Sequence, residues 1–438
     1  MEDGVRGSMN DTHLRFYGIS NNTCNNNLVI LNVILMSLLL NQSSIILGIN
    51  FSLADLFLGM ILTILLIENK LVFPLKQTMF ILMVSILVIF SATFYVPLKT
   101  TYNPDIFNIL TSYIKVLVVF FYFIVGFNLS KLNLLDLILK WFSVGSLIIG
   151  IIALVTNFLK VDFLAEILYL DKTRFKGFMN DPNYFAILQL IALAYYLGVN
   201  NIHTFYKYSV IFILSISILI SGSKTGVLTL IAFTVLKLVQ SINRYDKQYK
   251  TIVKRITMTT LLLLIIFLLT FNIERTITFI GQYISGFNRV SLIFTDFNSA
   301  TSSSGSGRDS TWDIAIELVK LSPILGIGVG TYTGIANKIW NFGSIAHNTY
   351  LQLVVEWGLP LAIIFFTYLL YLMFKITFLP KYQSTINIVL RDMLFIFLFS
   401  SLAISLNNAR IFWLIIGALV FNISVKRQAK EKNISPLN

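Results

Sequence analysis

The stretch LAIIFFTYLLYLMF, residues 361–374, contains no charged residue and presents no polar face at any helical phase, and TLLLLIIFLLTF at 260–271 reads the same way. A helix that is apolar all round must be covered by lipid or by other helices. Similar blocks recur along the whole chain. Of 438 residues 56% are hydrophobic and 12% charged, and mean hydropathy is +0.79. No soluble core hides so many fully apolar helices, so the expected fold is all-α, a polytopic integral membrane protein.

Splitting the apolar runs at polar breaks predicts about twelve transmembrane helices, at 28–49, 52–68, 77–96, 106–128, 133–156, 183–199, 208–222, 225–240, 256–271, 348–374, 388–405 and 408–425. The breaks at 41–44 and 221–225 are the weakest divisions. The expected organisation is a cytoplasmic segment 1–27, helices one to nine over 28–271 with an outer loop at 157–182, a long extracytoplasmic loop at 272–347, helices ten to twelve over 348–425, and a basic cytoplasmic tail at 426–438. The opening MEDGVRGS lacks the apolar stretch of a secretory signal and reads as an expression scar over residues 1–8, with a natural start expected at Met9.

The formal net charge of +13 would point to nucleic acid in a soluble protein, but here the cations sit between apolar runs as orientation signals. With both termini inside, the inner loops hold Lys70 and Lys76, Lys131, Lys207, the group from Arg244 to Arg255, Lys375 and Lys381, and the tail from Lys426. No nucleic-acid partner is expected. The single cysteine, Cys24, leaves no disulfide framework or CxxC site, and three scattered histidines give no metal centre.

Two outer loops break the rule of cation depletion. One carries Lys160, Lys172, Arg174 and Lys176; the other carries Arg275, Arg289, Arg308, Lys320 and Lys338. Long loops escape the charge rule, yet as a group these cations suit an anion. Within the long loop, the Ser/Gly stretch 301–307 leads into Arg308, and residues 310–321 have the spacing of a short amphipathic helix stopped by Pro323, so this loop is expected to be partly helical.

His347 enters the tenth predicted helix from the long loop, where a wet histidine is a candidate proton acceptor; the competing assignment is a helix-terminal histidine bonded to a cap or a headgroup. Glu356, about two turns deeper, is costly in lipid unless it is paired or faces a polar space. Asp55, Arg391 and Asp392 raise the same question. GIGVG at 326–330 has no βαβ context for a nucleotide, and P-loop, HExxH and GxSxG patterns are missing from the sequence. No cofactor is expected.

The segments RFKGFMNDPNYFA from Arg174, SGSKTG at 221–226, GRDSTWDIAIELVKLSPILGIGVGTY at 307–332 and HNTYLQLVVEWGLPL at 347–361 together resemble the superfamily of O-antigen ligases and Wzy-type polysaccharide polymerases. The resemblance implies a metal-independent glycosyltransferase of the bacterial cytoplasmic membrane, its active site on the extracytoplasmic face. The implied donor is an undecaprenyl-diphosphate-linked oligosaccharide. By this analogy Arg174, Arg308, Lys224 and Lys176 bind the diphosphate, His347 is the general base, and Asn183, Asn348 and Glu356 give support. Lys224 stands where the family commonly has arginine, which keeps the charge and loses the bidentate fork.

The implied acceptor is a lipid-linked repeat unit for a polymerase, the favoured reading, or lipid A core or another surface acceptor for a ligase. A flippase and a chain-length regulator are implied companions. Twelve helices with membrane-depth carboxylates would also describe a transporter or flippase of lipid-linked oligosaccharides, although the sequence shows no two-fold repeat.

Overall fold

The computed structural model describes residues 27–46, 49–100, 102–159, 162–199, 202–243, 279, 281–284, 286–295 and 308–434, and it is almost entirely helical. The predicted helix at 256–271 lies outside the described residues. Four described helices are long and apolar enough to cross a membrane: Leu75–Thr100, Ile106–Lys131, Leu135–Leu159 and Leu359–Phe378. In chain order the elements are α1 (Asn27–Leu39), a hairpin of β1 (Ser44–Ile46) and β2 (Ile49–Phe51), α2 (Ala54–Ile67), α3 (Leu75–Thr100, with a π-helical turn at Ser91–Tyr95), α4 (Ile106–Lys131) and α5 (Leu135–Leu159). There follow α6 (Asp162–Leu168), a hairpin of β3 (Tyr169–Leu170) and β4 (Arg174–Phe175), α7 (Pro182–Gly198), α8 (Thr204–Ile220) and α9 (Lys224–Asn243). Then come α10 (Phe287–Thr295), α11 (Arg308–Leu321), α12 (Tyr332–Trp340), α13 (Thr349–Trp357), α14 (Leu359–Phe378), α15 (Thr385–Ser400) and α16 (Arg410–Ile434).

Two predicted spans are corrected. The run 28–49 is a 13-residue helix followed by an antiparallel hairpin that pairs Ser44 with Phe51. Asn41 ends the helix because its amide is drawn sideways: Nδ2 donates to the Phe142 carbonyl at 3.0 Å and Oδ1 accepts from Ser146 Oγ at 2.7 Å. The run 348–374 breaks at Gly358, whose φ of +82° places it in the left-handed region, and Pro360 lies in the first turn of the next helix. The polar run 41–44 marks the first break, whereas at the second the apolar sequence resumes directly after Gly358 and hydropathy does not separate the two helices.

The central packing is α4 against α16. A Cβ on Gly126 would lie 2.1 Å from the Leu414 carbonyl oxygen, and one on Gly417 would lie 2.0 Å from that of Phe123. Small residues at these two points let the backbones touch. The pair runs parallel, since Phe120 meets Trp413 and Phe127 meets Phe421 with ring centroids 5.1 and 5.3 Å apart.

Helix lengths differ where the site lies. With its 26 residues α4 is about 39 Å long, whereas the 14 residues of α2 reach only about 21 Å. The Tyr122 hydroxyl, far along α4, donates to Asp55 Oδ1 in the first turn of α2 at 3.0 Å. α2 therefore starts beside the second half of α4, and the non-helical turn at 401–409 lies at a similar depth, because Arg410 Nε also donates to Asp55 Oδ1 at 2.6 Å. Irregular backbone within such a bundle requires internal partners. Thr349 supplies several: its amide donates to the Ser401 carbonyl at 2.9 Å, its hydroxyl to that of Ile404 at 2.7 Å, and it accepts from the Leu406 amide.

The GIGVG motif is a backbone strap. Gly326, Gly328 and Gly330 all have positive φ, and Cβ atoms on them would strike backbone at 356–358, at Val88 and Ala92, and at Asn108, respectively. Gly328→Ala combines a left-handed alanine with a contact 2.2 Å from the Val88 oxygen. We expect it to cost more than about 2 kcal/mol, read as a lower thermal transition of the detergent-solubilised protein.

Candidate functional site

A cavity of about 190 Å³ is lined by Arg174, Asp181, Asn183, Lys224, Arg289, His347, Ala403 and Ile404. Residues up to 230 positions apart in the chain meet there, each held by local structure with a physical cause.

Arg174 opens β4 and pairs with Leu170 across a turn in which Asp171 and Lys172 both have positive φ. The next residue anchors the strand, for Phe175 packs edge-on against Tyr169 and Phe185 at 5.2 and 5.1 Å. The Arg174 guanidinium is buried, with Nη2 donating to Asn183 Oδ1 at 3.2 Å. Asp181 caps α7: its Oδ1 accepts from the amides of Asn183 and Tyr184 at 2.6 and 3.2 Å, with Pro182 at the first helical position.

Lys224 is the first residue of α9 and is also buried. Ser223 caps that helix, accepting from the Gly226 amide at 2.9 Å and donating through the same hydroxyl to Asn183 Oδ1 at 2.9 Å. Asn183 thus joins the arginine strand to the lysine helix. Gly222, with φ +61°, permits a direct backbone contact with Gly286: a Cβ on Gly286 would fall 2.6 Å from the Ile220 oxygen. This contact brings α10, and with it Arg289, to the cavity wall.

His347 precedes α13 and has φ +48°, an uncommon conformation for a side-chain-bearing residue that persists only when its surroundings impose it. Asn348 imposes it: Oδ1 accepts from the amides of Tyr350 and Leu351 at 2.9 and 3.1 Å, while Nδ2 donates to the Leu402 carbonyl at 3.1 Å. On the other side, the Thr311 hydroxyl donates to the Ala346 carbonyl at 3.4 Å.

Three capped helix N-termini, those of α7, α9 and α13, therefore converge on this cavity with three cations, one histidine and one carboxylate. A lysine at the first position of a helix opposes the helix dipole unless an anion shares the site. Helix N-termini and buried guanidinium groups both favour negative charge, so the chemistry that best fits this cavity is phosphate or diphosphate.

The structure thus brings together four residues singled out from the sequence, Arg174, Asn183, Lys224 and His347. Lys176 is half-buried and does not line the cavity. Arg308 opens α11 one turn before Thr311, but its side chain lies outside the described residues. Asn348 acts as a cap rather than a cavity wall. Glu356 is buried away from the cavity, accepting from Gln352 Nε2 at 2.6 Å, with Lys115 of α4 in electrostatic range. Gln352 accepts in turn from the Ser405 hydroxyl at 3.1 Å, so this carboxylate braces the turn that carries Ala403 and Ile404.

Arg289 is the cavity cation that the sequence did not single out, since it stood only among the cations of the long loop. The available signal was the glycine three residues before it, matched by the glycine in SGSKTG. Asp55, Arg391 and Asp392 are structural. Arg410 makes a two-pronged pair with Asp55 at 2.6 and 2.7 Å, and Asp392 is held by Arg391 and by Lys237.

A multi-pass helical membrane protein with a buried cationic cavity at converging helix N-termini defines the class. Residues 209–366, roughly a third of the chain, match the family model described as O-antigen ligase. The matched stretch contains Lys224, Arg289, Arg308, His347 and Glu356. No curated protein matches the chain.

Proposed function

We propose that this protein is a polysaccharide polymerase of the bacterial cytoplasmic membrane, transferring a glycan from undecaprenyl diphosphate to a hydroxyl of a second lipid-linked repeat unit. The observation that carries this reading is the cavity in which Arg174, Lys224 and Arg289 stand with His347. His347 accepts the proton of the acceptor hydroxyl as that oxygen attacks the donor sugar C1. The bond from C1 to the diphosphate oxygen breaks with its electron pair going to that oxygen, and the three cations and the helix N-termini around them stabilise the negative charge on the leaving diphosphate. By the family resemblance, Arg308 and Lys176 also take part in binding the donor. The lipid diphosphate is a sufficient leaving group, so the reaction needs neither nucleotide nor metal.

Removing the charge of Lys224 should weaken donor use. Lys224→Met is expected to lower kcat/KM for the lipid-linked donor about tenfold to a hundredfold, the range for loss of a hydrogen bond to a charged group. Lys224→Arg should stay within about tenfold of the wild type, because charge is kept and arginine suits phosphate.

The family description favours one second reading, a ligase that passes the finished glycan to lipid A core or another surface acceptor. Product analysis separates the two. Purified protein incubated with the lipid-linked repeat unit alone should give a ladder of multiples on gels and by mass spectrometry. A product that forms only after lipid A core is added makes the protein a ligase, and absence of product with every acceptor favours a transporter.

A further inference from the structure

Away from this cavity, a second opening of about 250 Å³ is set among α3, α4, α14 and α16. Three of these are among the four helices long and apolar enough to cross a membrane. Aromatic rings form most of its wall, chiefly Phe80, Phe120, Phe123, Phe365 and Trp413, and its one charged residue is the exposed Lys76 in the first turn of α3.

The level of Lys76 in the bundle follows from two contacts. Asn128, near the end of α4, exchanges two hydrogen bonds of 2.8 Å with the backbone of Val72, so α3 starts beside the closing turns of α4. Gln77 Nε2 donates to the Tyr368 hydroxyl at 2.9 Å, joining the same level to the middle of α14. Beyond Tyr368 on that helix, Lys375 lies over the Tyr371 ring at 4.3 Å. Lys375 does not line the groove, so Lys76 alone stands at its end, and apart from Gln77 the rest of the wall is aromatic and aliphatic.

A groove with a cationic mouth and an apolar body, open between membrane-spanning helices, matches a lipid with a negatively charged headgroup. Phosphatidylethanolamine or phosphatidylcholine, net neutral, would bring a second positive charge beside Lys76. From the structure we infer that this groove binds one anionic glycerophospholipid, its phosphate on Lys76 and one acyl chain against Phe120, Phe365 and Trp413. The Trp413 indole N–H donates to the Asn407 carbonyl at 2.7 Å, so the bound chain abuts the turn that carries Ala403 and Ile404. The inference is independent of the glycan-transfer reading.

Native mass spectrometry of the full-length protein, equilibrated with phosphatidylglycerol and with phosphatidylcholine of equal chain length, tests it. Wild type should retain one phosphatidylglycerol per chain in excess over phosphatidylcholine. Lys76→Gln, at an exposed position, should keep the thermal transition and reduce that preference by about fivefold. Ile364→Trp, at the half-exposed rim, should fill the groove and lose retention of both lipids. Undiminished preference in Lys76→Gln, or undiminished retention in Ile364→Trp, overturns the proposal. So does one-for-one displacement of phosphatidylglycerol by a polyprenyl phosphate, which would give the groove to the tail of the glycan donor.

Discussion

His347→Ala is expected to lower the rate of glycan transfer by about a hundredfold to ten-thousandfold, the usual contribution of a positioned general base, while the level of protein in the membrane stays near normal. The second half of this expectation comes from the local structure. The backbone at 346–349 is held by Thr311, Asn348, Thr349 and the 401–406 turn, all of which the substitution leaves in place. The substitution also leaves Arg174, Lys224 and Arg289 in place, so donor binding should persist. Turnover measured at saturating donor, together with donor KM, makes the check: a fall in kcat with KM little changed supports the base, whereas a rise in KM alone would make His347 a binding residue.

Arg410→Ala should be the most damaging substitution outside the cavity. Arg410 and Asp55 are nearly buried, with side-chain exposures of 9% and 14%, and Asp55 also accepts from Tyr122 and from the Ser52 amide. Removing the guanidinium strands a carboxylate inside the bundle, which costs about 3–5 kcal/mol for a broken buried pair. The expected result is a large drop in thermal transition and in membrane level. The double variant Asp55→Leu/Arg410→Met should recover most of that loss, because no uncompensated charge remains. A double variant as unstable as the single would show instead that the pair is needed to place the hairpin, through Arg410 Nη2 on the Asn50 carbonyl at 2.9 Å.

The membrane class was legible because stretches such as 361–374 admit no soluble alternative. The caps of α7 and α13, Asp181 and Asn348, were not singled out as caps in the sequence and emerge from the hydrogen bonds they accept. Twelve full-length spans are not what the described residues display, because hydropathy records how long an apolar run is and not the depth at which its helix begins. α1, α2 and α8 are apolar yet shorter than the long helices beside them. Arg174, Lys224 and His347 stood out because each sits at a boundary between polar and apolar sequence. Arg289 did not, since its place depends on a contact between two glycines 64 positions apart. Glu356 was legible as a costly buried group, but its partners on α4 and on the 401–409 turn arise only from the tertiary fold.

The most direct test of the central claim is release of free polyprenyl diphosphate. Wild-type protein and the variants His347→Ala and Arg174→Ala would be incubated with the lipid-linked repeat unit in the presence of a chelator and without nucleotide. The cavity reading predicts that wild type releases one polyprenyl diphosphate for each glycosidic bond formed and that both variants lose most of that release. Equal release by wild type and His347→Ala, or no release by wild type with any acceptor supplied, would contradict it.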